Sequence, residues 1–270
     1  MAVLTSSDMA RQCQEEQPAG WRYFIKHYLP FAAALLDRHC PESAPKRDAL
    51  LEQILQRSRR QDSQFFRDYR GQSEREFLLY FRDSVLAVVS EQAAPADRPA
   101  EMVLEWEVFQ KSLEGFSPLE QQAIWMFLIC PRARDWNEIL SLESKSAQAV
   151  LAKAQDAIRA AWNEWNPEML AANRSALMQA ARSSGTNNCP DAKAFVRLLD
   201  GQITWRDRAD IERHTAGCWY CVDVLCRLRE AAFVARQVQP LPDTETRKYL
   251  SGLGIGIARP SSWKRFLGKP

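Results

Sequence analysis

The chain has 270 residues, 46% hydrophobic and 26% charged, with 36 Lys and Arg against 34 Asp and Glu. That length and composition suit a globular protein of two small domains, or one domain with extensions, that buries real cores, and scarce glycine (10 residues) beside abundant Ala, Leu, Gln, Glu and Arg predicts an all-α fold. No apolar run reaches the ~18–20 residues that span a bilayer and the first twenty residues lack the apolar stretch of a signal peptide. The expectation is therefore a cytoplasmic protein with no membrane partner, whose clustered cysteines serve metal or redox chemistry rather than disulfides.

Residues 1–19 read as a flexible N-terminus. The first helix is predicted over 20–40, where Phe24, Tyr28, Phe31, Leu35 and Leu36 fall at three- and four-residue spacings. Two prolines in CPESAPK (40–46) break it. A second helix covers 48–61, with Leu51, Ile54 and Leu55 inward, and RDYRGQS (67–73) is a turn. A third spans 74–92, with Phe77, Leu78, Phe81, Val85 and Val88 on its buried stripe. AAPADRPA (93–100), with two prolines and no large apolar side chain, reads as an interdomain linker. It divides a helical domain at 20–92 from a second at 101–165.

Four helices are predicted in the second domain: 101–113, 117–130, 135–142 and 145–165. Ser117, Pro118 and Glu120 supply a cap, a first-position proline and a capping-box partner. Trp125, Trp136, Trp162 and Trp165 fall at helical spacings and read as core. Residues 166–188 form a connector, 189–236 a compact unit of two or three helices, and 237–270 a loosely ordered, proline-rich tail. No strand is predicted.

The densest ligand chemistry lies in HTAGCWYC (214–221). On one helix at ~100° per residue, Cys218 and Cys221 sit about 40° and 20° to either side of His214, on one narrow face. A tetrahedral Zn2+ site wants four N/S ligands. One helical face cannot surround an ion, so the fourth comes from another element, and Cys189 is the candidate. Cys226 points about 140° away from that face and reads as a small core residue. The alternative is that these are ordinary buried thiols and a surface histidine. A unit of under 50 residues has little core of its own, which argues for a metal.

LLDGQITWRDRADIERHTAGCWYC (198–221), with Cys189 upstream, resembles the zinc-binding anti-sigma-factor module of bacteria. The resemblance covers residues 189 to about 235 and implies a metal role for Cys189, His214, Cys218 and Cys221. It further implies packing on a sigma factor and, in some members, thiol redox sensing. Upstream, FSPLEQQAIWMFL, DWNEILSL and KSAQAVLAKAQDAIRAAW resemble region 4 of the extracytoplasmic-function type of sigma factor, whose helix-turn-helix reads promoter DNA. Trp136, Glu138, Ile139 and Val150 stand at matching positions. More faintly, DALLEQILQR and REFLLYFRDS resemble region 2. That resemblance implies RNA polymerase core and promoter DNA as partners, with Lys145, Ser146, Gln148, Lys153, Arg59 and Arg60 as candidate DNA contacts.

The departures from that pattern are physical. Leu151, Asp156 and Ile158 stand where Lys or Arg would be common, and Ala49 where region 2 usually has aspartate. Residues 101–165 carry 10 acidic and 6 basic side chains, net −4, against net +6 for residues 166–270. Phosphate repels the former. Three readings stay open: a divergent working sigma factor, a sigma-like regulator that binds another regulatory protein without reading DNA, or plain core helices. Docking of the acidic segment on the basic C-terminal third is expected. In SRRQDSQFFRDYR (58–70), arginines interleaved with Phe65, Phe66 and Tyr69 either hold single-stranded bases or form a solvated helix end over core aromatics.

No nucleophile, base and orienter set appears around His27 or His39, and GLGIG (252–256) follows no strand and opens no helix, so it is not a phosphate loop. Four available ligands point to a closed site rather than a catalytic one, and spacing alone leaves open whether it is structural or sensing. The chain is expected not to be an enzyme.

Overall fold

A computed structural model describes residues 4–59, 65–69, 71, 73–92, 104–130, 136–161 and 167–255. Among them all regular structure is helical. An N-terminal body comprises α1 (Ser6–Gln14), α2 (Pro18–His39), a 3-10 turn (Pro41–Lys46), α3 (Arg47–Arg59), α4 (Phe65–Asp68) and α5 (Glu74–Gln92). A middle body comprises α6 (Trp106–Ser112), α7 (Pro118–Ile129), α8 (Trp136–Ile139), α9 (Ser144–Ala161) and α10 (Pro167–Ser183). Then follow α11 (Ala192–Leu199), α12 (Trp205–Thr215), α13 (Trp219–Gln237) and α14 (Asp243–Gly252). The linker AAPADRPA, Arg60, Arg70, Trp162, Trp165 and the end of the tail lie outside the described residues.

The N-terminal body is built on the aromatic stripes of α2 and α5. Phe24 meets Phe81 edge-on at 5.2 Å between ring centroids and Tyr28 meets Phe77 at 4.7 Å. Phe66 and Tyr69 are buried in the same core and Arg57 pairs with Glu91 at 2.6 Å. These two aromatics of the 58–70 stretch are therefore core residues rather than platforms for bases. The stretch expected to be a flexible N-terminus carries α1. Thr5 caps it by accepting the Asp8 N–H at 3.0 Å, and Met9 and Cys13, one turn apart, bury their side chains. Gly20 permits the close approach of α1 to α2, because a Cβ there would lie 2.5 Å from Gln12 Cβ.

In the middle body the capping box forms as its residues predict. Glu120 N–H donates to Ser117 Oγ at 3.3 Å, and Ser117 N–H to the Glu120 carboxylate at 2.7 Å. The core holds Phe109, Trp125, Ile129, Ala154 and Ile158, with Leu177 and Ala181 of α10. Helix α8 is a single turn. Ser141 then takes φ +55°, a left-handed conformation that ends a helix, and α9 starts at Ser144.

Helix α13 lies at the centre of the molecule. Trp219, Val222 and Cys226 pack into the middle core, Ala231 and Val234 into the N-terminal core, and Cys221, Val224, Leu225 and Leu228 into a third core with α11, Ile211 of α12 and Leu79 of α5. Helix α7 meets α13 through an indole cluster, with Trp125 and Trp219 at 5.5 Å. The described part of the tail, residues 237–255, is also more ordered than expected. Pro30 has no N–H to give the Lys26 carbonyl within α2, and that carbonyl accepts the Leu241 N–H at 2.8 Å instead. This staple leads into α14, after which Leu253 and Ile255 bury themselves in the N-terminal core.

Candidate metal centre and a buried ionic cluster

The four sequence-predicted ligands converge. One ligand atom each from Cys189, His214, Cys218 and Cys221 lies within 4.8 Å of all the others. The route differs from the one-helix expectation. Gly217 N–H bonds the His214 carbonyl at 3.1 Å and Cys218 N–H the Thr215 carbonyl at 3.3 Å, so α12 closes in tight turns. Cys218 then adopts extended backbone, φ −131° and ψ 103°, as the N-cap of α13. Glycine's low helix propensity makes this a natural break. His214 thus comes from the last turn of α12, Cys218 from the junction and Cys221 from the first turn of α13. Cys189 arrives on the loop before α11, where its amide bonds the Thr186 carbonyl at 3.0 Å and its Sγ accepts the Thr186 N–H at 3.3 Å.

Two details suit a metal. The Cys189 and Cys218 sulfurs are 3.7 Å apart, too far for a disulfide at ~2.05 Å and close to the ~3.8 Å that two Zn–S bonds of ~2.3 Å subtend at a tetrahedral centre. His214 Nε2 is buried without a hydrogen-bond partner, an arrangement that costs free energy unless something binds it. Burial pushes the Cys189 thiol up, but neighbouring polar groups, the Thr186 amide foremost, outweigh it and bring the thiol down to about 6. Burial raises Cys218 and Cys221, and the adjacent Cys218 raises Cys221 further. A bound cation would reverse that by favouring thiolate throughout. Cys226 is fully buried in the middle core, as expected.

The candidate DNA contacts divide. Lys145, Ser146 and Gln148 are exposed near the start of α9. Lys153 is held by Glu120 at 2.7 Å and lies 4.3 Å from the Phe116 ring centroid. Arg59 donates to the Leu253 carbonyl and faces Glu16 at 3.7 Å. Arg60 lies outside the described residues.

Sequence reasoning missed a second cluster. Glu230 of α13 is fully buried. Its Oε1 accepts from Arg38 at 3.0 Å, His39 at 2.8 Å and the Cys130 thiol at 2.7 Å. Its Oε2 accepts from Arg82, itself fully buried, at 2.7 Å. Arg174 donates to His39 Nδ1 at 3.3 Å, which places the ring proton on Nε2, facing Glu230. Arg82 also bonds Asp83 at 2.9 Å, Arg227 pairs with Asp83 and with Asp223 (2.7 Å to the latter), and Asp223 accepts from Trp125 Nε1 at 3.0 Å. Burial alone would raise the Glu230 carboxyl. Arg82, then His39, outweigh it and hold the group well below the usual range.

Comparison with family models, curated proteins and solved structures returns no match to this chain. Among the described residues no helix is long and apolar enough to cross a membrane.

Proposed function

We propose that the chain is a transcription regulator built like an extracytoplasmic-function sigma factor, controlled in cis by a C-terminal zinc-binding module of anti-sigma type. The observation that carries this reading is the Cys189, His214, Cys218 and Cys221 cluster, seated at the start of the helix that packs into both helical bodies. Bound there, zinc would cross-link the loop before α11 to α12 and α13, a contribution of ~10 kcal/mol or more in small zinc modules. Four protein ligands leave no open position, so the metal's role is structural or redox-sensing. Control in cis means that the packing of α13 decides which surfaces of the helical bodies a partner can reach.

A second reading is a protein-interaction regulator with the same architecture and no promoter contact. It is favoured by the fate of Arg59, which donates to the Leu253 carbonyl, and by the net −4 of residues 101–165, because phosphate contacts need available cations.

Metal content of the purified chain by mass spectrometry, with Cys189→Ser and His214→Ala variants, tests the module. We expect one zinc per chain, weakened or lost in both variants. A metal-free, folded protein would remove this reading. Co-purification with RNA polymerase core, followed by salt-dependent promoter binding, separates the two functions. Association with polymerase and a steep salt slope support the sigma reading. Failure to associate leaves the interaction regulator.

A further inference from the structure

Helix α13 is buried on nearly every side, yet it carries a charged stripe. Asp223, Arg227 and Glu230 stand at i, i+4 and i+7, one face of the helix. That stripe reaches across both bodies. Asp223 holds Trp125 of α7 and faces Arg182 of α10 at 3.4 Å. Arg227 pairs with Asp83 of α5, and Glu230 gathers Arg38 and His39 of α2, Arg82 of α5 and Cys130 at the end of α7. The apolar residues of α13 divide among three separate cores, and Glu230 sits where the N-terminal and middle bodies meet. His39, Cys130 and Glu230 have the side-chain types of a metal site, but both carboxylate oxygens are already taken by cationic or N–H donors, and the guanidinium groups of Arg38 and Arg82 would repel a cation.

We propose that Glu230 is the latch of a polar seam along which the N-terminal body (α1–α5) and the middle body (α6–α10) open and close as units. The physical asymmetry is plain. Parting two apolar surfaces exposes them to water, which is unfavourable throughout. Parting buried ion pairs returns the hydration that burial removed, so much of the lost attraction is recovered. The ionic stretch around Glu230 is thus the part of the junction that parts at least cost, beside the apolar anchors that α13 keeps in each body, and one carboxylate that accepts from α2, α5 and the end of α7 together decides whether that stretch stays shut. Its closure also sets the register of the two bodies, because four donors must meet one carboxylate at fixed angles.

The test compares the full-length chain with Glu230→Gln and Glu230→Asp, by amide hydrogen exchange read by mass spectrometry and by small-angle scattering. Gln removes the charge; Asp keeps it on a shorter stem. In Glu230→Gln we expect exchange at 35–40, 79–86 and 126–130 to rise about tenfold or more, a larger radius of gyration, unchanged helical circular dichroism and unchanged metal content. Glu230→Asp should open the same segments by less. Unchanged exchange, or exchange that rises together in every helix, overturns the latch, as does an Asp variant no better than Gln. If Glu230→Gln does not fold, Glu230→Asp decides alone: local opening at those three segments supports the proposal, and uniform loss of protection overturns it.

Discussion

His39 is one of three histidines in the chain and is buried against Glu230 of α13, Arg82 of α5, Arg174 of α10 and Cys130. Burial, foremost, holds its folded pKa below the usual 6.5; Glu230 pulls it up, while Arg82 and Arg174 push it down. The unfolded chain therefore binds a proton that the folded chain refuses, and stability falls as pH drops below 6.5. Glu230 adds to the loss at lower pH, because its folded carboxyl titrates well below the ordinary range. Urea unfolding midpoints should decline from about pH 6.5 to about pH 5, and a folded His39→Gln variant should flatten that slope. An unchanged slope would mean that His39 is not the titrating group. This site was not legible beforehand, since His39, Cys130 and Glu230 are separated by 91 to 191 positions and share no motif. The candidate metal ligands were legible by residue type, because three of them lie within eight residues. One sign of the seam was in the sequence: Asp223, Arg227 and Glu230 on one face of a helix rich in apolar residues.

Among the helices, α5 and α7 lie where their apolar spacing and capping residues place them, because each carries a long regular stripe or an explicit start signal. Helix α1 was illegible because its buried face has few large side chains, Met9 and Cys13 among them, set in a polar stretch. What fixes it is tertiary, the close approach at Gly20. Gly20→Ala should push α1 from α2 and lower unfolding free energy by about 1–3 kcal/mol, measured by urea titration. A variant as stable as the parent would show that Gln12 simply moves aside. Helix α14 was hidden for a related reason. The Lys26 carbonyl that receives Leu241 lacks its in-helix donor because of Pro30, 211 positions before Leu241, and no local pattern links the two. The break between α12 and α13 shows the reverse case. The ligand spacing allowed one continuous helix, and Gly217 with the extended Cys218 divided it.

At the scale of the whole molecule, α13 serves three cores at once, so neither body is complete without it. A chain cut after residue 185 loses Trp219 from the indole cluster and leaves Arg82 without Glu230, a buried cation stripped of its main counter-charge. Residues 1–185 should bind hydrophobic dye and lose near-ultraviolet circular dichroism while keeping most helical signal. Native-like spectra without dye binding would show that the bodies stand alone. The same dependence orders events during synthesis. Glu230 follows His39 by 191 positions, so at ribosomal speeds of about 5–20 residues per second the carboxylate emerges roughly 10–40 s after its partner. Through that interval the nascent helices hold their arginines and tryptophans in wait for a strut still inside the ribosome, which makes the unfinished chain a natural client for chaperones.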